Sequence, residues 1–295
     1  MKFEYQISDQ VTLDWVIRNM RQYLFPDLSK KKSRMHKNMI GVVATHEKKP
    51  VGLLLCTDDN TGENYRIHSF MTHPQYRKMG IGHSMIKEIE AYVKKRGGRK
   101  IDLYYRAHWP SRYFLEKILT SQDWSEPKED LIIVKGKASN VNKLFMHTGL
   151  ELPEEYEFGA FREIDEEDRK YILKRKKEEN WYLDYLDPFV QESSMCDAAS
   201  LVLRKEGMIV GWVISHLIAP DLNEFTALFI DPVHRPYKMA HLLMREAITR
   251  QQQAGISNFL ITSKVDNYVM SRFLLRHAKE TGVFLTRSQY SAKRL

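Results

Sequence analysis

A glycine-containing loop between an apolar strand and an amphipathic helix is the part of this sequence best suited to chemistry. Arg77 is followed by Lys78, Met79, Gly80, Ile81, Gly82 and His83, where the helical pattern begins. Glycines let the main chain approach an anion closely, and the amides and dipole of a helix N-terminus favour negative charge. Arg77 and Lys78 add positive charge beside those amides. The pattern predicts a phosphate-binding loop; the alternative is an ordinary strand-to-helix turn.

The spacing of this loop carries a family resemblance. The run from Met71 through Pro74 and Arg77 to Gly80 and Gly82 resembles the coenzyme A pyrophosphate loop of GNAT-type N-acetyltransferases. In that family Gln or Arg is followed by two residues, Gly, one residue, and Gly or Ala. The resemblance implies acetyl-CoA as co-substrate and no metal. The cofactor-binding residues it implies are Phe70, Met71, Arg77, Lys78, Met79, Gly80, Ile81, Gly82 and His83.

The resemblance also implies a reaction. Acetyl transfer to an amine would occur by direct attack within a ternary complex, with a backbone N–H near Phe70 or Met71 polarising the thioester carbonyl. Pantetheine would lie between splayed strands at 66–71 and 101–105. The acceptor is expected to be a small-molecule or peptide amine, whose identity the sequence does not give.

The sequence contains an internal repeat with an offset of about 158 residues. Val51-Gly52 recurs as Val210-Gly211, Pro74 as Pro232, Arg77 as Arg235, and Phe114-Leu115 as Phe273-Leu274. Nearly constant spacing between several landmarks predicts a duplication. We therefore expect a GNAT-like domain at 1–138, a linker at 139–156 and a degenerate GNAT-like domain at 157–295.

The local patterns within each half alternate between strands and helices. Apolar runs at 39–46 and 51–57 predict a hairpin, and strands follow at 66–71, 101–105 and 131–134. Helical spacing after the loop ends at Gly97-Gly98, and a second helix is expected at 109–119. The predicted class is α/β, with two tandem domains that each contain a mixed, mostly antiparallel sheet flanked by helices.

The second copy of the loop departs from the family pattern. Lys238 stands where the first glycine is expected, and Pro236 removes one amide donor. We expect coenzyme A binding there to be weak or absent, although Lys238 could contact a phosphate through its side chain.

The catalytic positions are less well defined. Family members place a glutamate base on the strand before the loop, which corresponds to Glu224 in the second half and to Arg66 in the first. Arg66 cannot act as a base at neutral pH, so His68 is the substitute. The tyrosine that family members use to protonate the leaving thiolate is missing from both halves. Tyr104 could deliver a proton instead, although packing within its strand is the alternative.

Two further segments bear on the acceptor. Residues 27–37, with their lysine run, occupy a region that varies in the family, and a solvated loop is the simpler interpretation. The aromatic cluster around Trp181, Tyr182 and Tyr185 lies in the matching region of the second half. It could hold a cationic amine, but core packing is favoured.

Composition and charge limit the other function classes. Residues 1–150 hold 26 Lys and Arg against 16 Asp and Glu, a basic balance that suits an anionic cofactor, an acidic protein or a nucleic acid. No nucleic-acid-binding motif appears, which disfavours that partner. The two cysteines, the polar amino terminus and the absence of a long apolar stretch predict a cytoplasmic protein without a membrane span. A non-catalytic acyl-CoA sensor or scaffold remains the alternative to an enzyme.

Overall fold

The computed structural model describes residues 1–25, 28, 39–140, 150–278 and 282–295. The chain divides into two compact units. Unit 1 contains Met1–Asp130 together with Ser288–Leu295, and unit 2 contains Leu131–Arg287.

Unit 1 is a mostly antiparallel sheet with one parallel strand pair. Its strands are β1 (Glu4–Val11), β2 (Met39–His46), β3 (Lys49–Asp58), β4 (Asn64–Thr72) and β5 (Lys100–Arg106), and its helices are α1 (Leu13–Met20), α2 (Ile81–Lys95) and α3 (Arg112–Thr120). Strands β1 to β4 pair antiparallel in sequence order, and β4 pairs parallel with β5. Residues 288–294 pair antiparallel with the other edge of β5.

Unit 2 repeats this arrangement. Its strands are β6 (Lys128–Lys137), β7 (Tyr156–Ala160), β8 (Leu201–Lys205), β9 (Met208–Ala219), β10 (Leu222–Ile230) and β11 (Asn258–Lys264), and its helices are α4 (Glu166–Glu179), α5 (Met239–Gln253) and α6 (Tyr268–Ala278). The last strand of the chain, β12, spans Phe284–Arg294. Strands β7 to β10 pair antiparallel, β10 pairs parallel with β11, and β6 closes the unit against β11.

The structure shows the duplication directly. Strand β10 begins at Leu222, which is 158 residues after Asn64 of β4, and the same offset relates β11 to β5 and α5 to α2. The two long helices also have equal lengths, and each follows a turn that starts at a proline, Pro74 or Pro232. The predicted fold class is therefore confirmed.

The division between the units differs from the expected boundary. We expected the first domain to end at 138, whereas unit 1 ends at Asp130 and regains Ser288–Leu295 from the end of the chain. Each unit is thus closed by a strand from the other half of the sequence. The four-residue apolar run at 131–134 in β6 and the largely polar sequence of β12 do not specify which sheet edge each strand pairs with.

The long helices bury matching apolar faces. In α2 the buried residues are Ile81, Met85, Ile86, Ile89 and Val93, and they join β3, β4 and β5 in one core. Burial of such a face supplies most of a helix's stability in a protein. Helix α3 begins at Arg112, three residues later than expected. Within the described ranges, no helix is long and apolar enough to span a membrane.

Candidate functional site

The two parallel strands of unit 1 separate where the predicted site lies. Pairing runs from Asn64 opposite Lys100 to Ile67 opposite Leu103 and then stops, although β4 continues to Thr72. At this point β4 has a bulge, because Cys56 pairs with Ile67 and Leu55 with Ser69, which leaves His68 between them. A bulge adds a residue and bends its strand. The strands therefore open into a gap.

The bulge also resets the alternation of side chains along β4. Ile67 belongs to the core under α2, and Phe70 joins that same core three residues later. Ser69 faces the opposite way, where its hydroxyl accepts from the N–H of Phe25 at 2.9 Å. Without the extra residue Phe70 would lie on the other face. The bulge thus brings an aromatic ring to the mouth of the gap.

The loop after β4 presents unpaired backbone amides. Gly80 lies at the N-terminus of α2 with φ +79°, and a Cβ there would meet nothing within 4 Å. The first bond of the helix runs from the N–H of Ser84 to the carbonyl of Gly80 at 3.0 Å. Among the described residues, no acceptor pairs with the amides of Ile81, Gly82 and His83. These donors, at the positive end of the helix dipole, are available to an anion.

Gly82 lies in a tightly packed position. A Cβ at this position would lie 3.0 Å from Cδ1 of Ile118 and 3.1 Å from Cζ of Phe70. A larger residue would require the side chains of Ile118 on α3 and Phe70 on β4 to shift. The two glycines therefore do different work: one adopts a left-handed conformation, and the other allows close packing.

A cavity of about 570 Å³ opens beside this loop within unit 1. All predicted cofactor residues except Met79 line it, and Met79 is 44% exposed. Ten further residues, which the sequence did not single out as cofactor-binding, complete the lining: Phe25, Thr72, Tyr76, Trp109, Pro110, Ser111, Phe114, Leu115, Lys117 and Ile118. Most of these lie in or just before α3, and its predicted position after β5 was the available signal for them. The lining contains several cations but no Asp or Glu.

Arg77 is positioned by the backbone of β4. Its Nε donates to the carbonyl oxygen of Thr72 at 3.3 Å, and its side chain is exposed. Lys78 reaches toward Phe114, with Nζ 5.8 Å from the ring centroid. The mouth of the cavity is therefore positively charged, whereas Phe25, Phe70 and Trp109 make much of its wall aromatic.

The two predicted catalytic residues do not line this cavity. His68, at the bulge, lies with Nε2 2.7 Å from the hydroxyl of Thr57. Tyr104 packs against the guanidinium of Arg66 at 4.5 Å and the ring of Tyr290 at 4.9 Å. Burial raises the pKa of Tyr104, and the charge of Arg66 opposes that shift only in part. The phenol therefore keeps its proton at neutral pH.

Arg66, at the position of the family base, has a structural partner. Its guanidinium donates to both carboxylate oxygens of Asp102, at 2.9 and 3.3 Å. Asp102 is buried and lies opposite Arg66 in the parallel register. This pair links β4 to β5 just before the strands separate.

The corresponding loop of unit 2 is built differently. Lys238 takes the place of Gly80 and also adopts a left-handed conformation, with φ 57°. The carbonyl of Lys238 accepts from the amide of His241 at 3.0 Å, so this donor is used within the turn. The ring of His241 packs against Phe273 at 5.4 Å. Glu224, the family base position, accepts from the hydroxyl of Thr262 at 3.5 Å.

A buried carboxylate holds the start of this second loop. Asp231 is 6% exposed and accepts from the guanidinium of Arg175 and the indole N–H of Trp181, each at 2.8 Å. Its other oxygen accepts from the amide of Val233 at 3.1 Å. Burial raises the pKa of Asp231, but these donors outweigh it and the net pKa lies below the usual value.

The structure describes most of only one of the two segments that were candidates for acceptor binding. Residues 27–37, apart from Leu28, lie outside the described residues. Trp181 and Tyr182 are buried in the second core of unit 2, as the packing interpretation expected, while Tyr185 is 62% exposed. In the part of the chain that the structure describes, no cluster of three or more His, Cys, Asp or Glu side chains could hold a metal ion.

Comparison with known proteins agrees with the fold. Residues 9–118 match the family described as "Acetyltransferase (GNAT) family". A GCN5-related N-acetyltransferase from Sphaerobacter thermophilus superposes with a TM-score of 0.65 at 12% identity, covering 98% of this chain and 95% of that one. A tandem GNAT protein from the clavulanic acid biosynthesis pathway has a TM-score of 0.65 at 10% identity, covering 99% and 98%.

A GNAT-family acetyltransferase from Colwellia psychrerythraea is also similar, with a TM-score of 0.57 at 11% identity over 98% of this chain and 100% of that one. A search of curated proteins by sequence found no match. At these identities the solved structures establish the fold alone.

Proposed function

Because this chain is a GNAT-type acetyltransferase superfamily protein, we propose that it transfers the acetyl group of acetyl-CoA to an amine, with the cofactor bound in unit 1. Acetyl-CoA, when bound, supplies an acetyl group activated as a thioester. The acceptor is a small-molecule or peptide amine.

The unpaired amides at the start of α2, beside the cavity, are the observation that carries this proposal. The amides of Ile81, Gly82 and His83 together with Arg77 and Lys78 fit a pyrophosphate, because N–H dipoles and cations converge on one place. The aromatic and aliphatic wall behind them fits a less polar arm. The absence of carboxylates from the lining favours a polyanion further.

The gap between β4 and β5 would accept the arm that carries the thioester. Backbone groups of β4 beyond Ile67 have no pairing with β5, so they are available to a bound amide chain or carbonyl. We assign polarisation of the thioester carbonyl to an N–H near Phe70 or Met71, because a fixed dipole stabilises the negative charge that develops there.

His68 is the proposed base. An amine of the lysine type, with a pKa of about 10.4, is almost wholly protonated at neutral pH and must lose its proton before attack. His68 lies on the bulge two residues before Phe70, and its bond with Thr57 fixes the ring. Tyr104 is proposed to return a proton to the leaving thiolate.

A binding protein without turnover is the second candidate. The observation that favours it is the position of His68 and Tyr104, neither of which lines the cavity. In that case unit 1 would bind acyl-CoA and the chain would act as a sensor or scaffold.

Thiol release in the presence of acetyl-CoA and a panel of amines distinguishes the two candidates. The enzyme proposal expects amine-dependent release of free coenzyme A, and a His68→Gln variant should lower kcat about 100-fold or more while leaving coenzyme A affinity unchanged. Coenzyme A binding without release for any amine would support the binding protein. The variant Tyr104→Phe tests the proton donor separately from the base. Its loss of kcat relative to the wild type should be greatest at high pH.

A further inference from the structure

We infer that Arg66 and Lys100 form a carboxylate-binding subsite, so that the acceptor is an amine that also carries a carboxylate. This inference rests on the proposed function, because it names the class of acceptor that would meet His68. The subsite lies on the face of the unit 1 sheet opposite α2, and neither cation lines the cofactor cavity.

The alternation of side chains brings polar groups together on this face. Along β5 the residues that join α2 in the core are those at positions 101, 103 and 105. Because side chains alternate between the faces of a sheet, Lys100, Asp102 and Tyr104 lie on the opposite face. Arg66 lies there as well, since it pairs with Asp102 from the neighbouring strand.

The proposed base shares this face. His68 lies against the hydroxyl of Thr57, which follows a core residue, Cys56, on β3 and therefore points away from α2. Residues two apart along a strand are separated by roughly 7 Å, so a single small molecule could place its amine at His68 and its carboxylate at Arg66. The acceptor and the cofactor would then approach the gap from opposite faces, which explains why His68 does not line the cofactor cavity.

Arg66 is fixed in place and keeps donors for a ligand. Its Nε and Nη2 donate to the buried carboxylate of Asp102 at 2.9 and 3.3 Å, and its guanidinium lies 4.5 Å from the centroid of the Tyr104 ring. Its Nη1 makes no hydrogen bond to any described residue, and 51% of the side chain is exposed. Because a guanidinium is a planar fork of N–H donors, the edge formed by Nη1 and Nη2 can bind a carboxylate through two parallel bonds.

Lys100 brings a second cation to the same surface. Its Nζ lies 5.5 Å from the centroid of the Tyr290 ring, and that ring packs against Tyr104 at 4.9 Å. A hydrogen bond to Tyr290 raises the pKa of Lys100, which therefore stays charged. Among the described residues, no carboxylate forms an ion pair with Lys100. Since Asp102 is already paired with Arg66, this face favours an anionic group.

Unit 2 has different residues at the corresponding positions. Glu224 pairs opposite Leu260 in the second sheet, where Arg66 pairs opposite Asp102 in the first, at an offset of 158 residues. A carboxylate at this position is suited to a cationic acceptor, whereas an exposed guanidinium is suited to an anionic one. The subsite is thus a feature of unit 1.

Matched pairs of acceptors test the subsite in the full-length chain. The probes are glycine, β-alanine and phenylalanine, each compared with its own primary carboxamide in assays of thiol release from acetyl-CoA. The wild type should have the lower KM for the carboxylate. Arg66→Lys keeps a charge beside Asp102 but loses the fork, and it should lower this preference about tenfold. The difference in amine reactivity within a pair cancels when the preference is compared between variants.

Two further variants control for charge and fold. Arg96→Lys, the same substitution in the ion pair with Asp9 at the end of α2, is the matched control and should keep the wild-type preference. Lys100→Gln removes a charge that no described ion pair uses, and it should lower the preference about threefold. The thermal midpoints of Arg66→Lys and Lys100→Gln should match the wild type, because buried Asp102 keeps a cationic neighbour in each.

Calorimetric titration of the same amines into the chain saturated with coenzyme A needs no turnover, so it separates this inference from the proposed function. Turnover with a preference that Arg66→Lys and Lys100→Gln leave unchanged would overturn the subsite and support acetyl transfer. Carboxylate binding that both variants weaken, without thiol release, would support the subsite and overturn acetyl transfer. Neither binding nor release with any probe would overturn both.

Discussion

The two loops that precede α2 and α5 have the same backbone design but different surroundings. Gly80 and Lys238 both adopt left-handed conformations at the start of equivalent helices, with φ +79° and 57°. In unit 1 the three amides that follow Gly80 have no acceptor among the described residues, and their residues border a cavity. In unit 2 the amide of His241 is bonded to the carbonyl of Lys238, while those of Met239 and Ala240 have no acceptor among the described residues either. The fold therefore tolerates a non-glycine residue at this position. What glycine provides is open space above the amides rather than the turn itself.

The residues that cap the starts of the two loops also differ. His73 caps the first loop through a bond of 3.4 Å from the N–H of Gln75. Asp231 caps the second and is also paired in the interior with Arg175 and Trp181. The second loop is held by a buried ion pair, which the first lacks. We interpret unit 1 as the ligand-binding copy and unit 2 as a structural copy.

The largest expected effect comes from removing the closing strand of unit 1. Deletion of Ser288–Leu295 would remove the pairing with β5 and the ion pair between Lys293 and Glu90 at 2.7 Å. We expect unit 1 to lose about 3–5 kcal/mol of stability. Thermal denaturation should show an early transition and loss of coenzyme A binding.

Removal of Met1, which precedes β1 and is 84% exposed, is the control and should change the denaturation curve little. A truncated chain that unfolds and binds like the wild type would show that unit 1 does not depend on the returned strand.

Replacement of the caps compares the two loops directly. Asp231→Ala leaves the indole N–H of buried Trp181 without its acceptor, while Arg175 keeps its ion pair with Glu179 at 2.6 Å. This variant should cost about 1–3 kcal/mol, while His73→Ala should cost less than about 1 kcal/mol. Urea denaturation measures both. Equal losses of unfolding free energy in the two variants would contradict the conclusion that a buried ion pair holds the second loop but not the first.

The same pair predicts how stability depends on pH. The folded pKa of Asp231 lies below its unfolded value of 3.8, so its contribution is present above pH 3.8 and is lost as pH falls through the folded pKa. The variant Asp231→Asn should therefore lose less stability than the wild type between pH 5 and strongly acid conditions, as acid titration of the unfolding free energy would show.

Copying the second loop into the first tests the role of the open space. Gly80→Lys should keep the fold, because Lys238 has the same conformation and a Cβ at Gly80 meets no neighbour. The side chain would lie where the ligand approaches, and we expect coenzyme A affinity to fall about tenfold or more. Full affinity in a folded variant would show that the loop is not the anion site.

The smallest effect is expected from the reverse change. Lys238→Gly relieves a left-handed conformation that costs a non-glycine residue about 1 kcal/mol, offset in part by the greater freedom of glycine in the unfolded chain. The melting temperature should rise slightly, without a gain of coenzyme A binding, because the amide of His241 stays bonded. A new coenzyme A site in this variant would show that residue 238 alone accounts for the difference in ligand binding between the two loops.

Much of the fold was predictable from local pattern. The repeat, the helix from Ile81 to Lys95 and the strands before it follow from apolar spacing and turn residues. The sequence pattern did not predict strand β12 or the pairing of β6 with β11, because sheet register depends on contacts distant in sequence. The bulge at His68 was also not predictable, since it changes which face Phe70 occupies without altering local composition.

The site was predictable only where backbone chemistry dictated the residues. Gly80 and Gly82 are recognisable from sequence because glycines at this spacing let the main chain approach an anion closely. Trp109 and Phe114 became part of the site only through packing of α3 beside the loop. Their sequence pattern is that of any amphipathic helix, so sequence alone does not distinguish a core ring from a ligand-facing one.

Calorimetric titration of acetyl-CoA into the full-length chain tests the central claim most directly. A ligand site in unit 1 alone predicts one site per chain, and Gly80→Lys should abolish or greatly weaken it. Two sites per chain would contradict the assignment of unit 2 as a structural copy. No binding at all would contradict the proposed function.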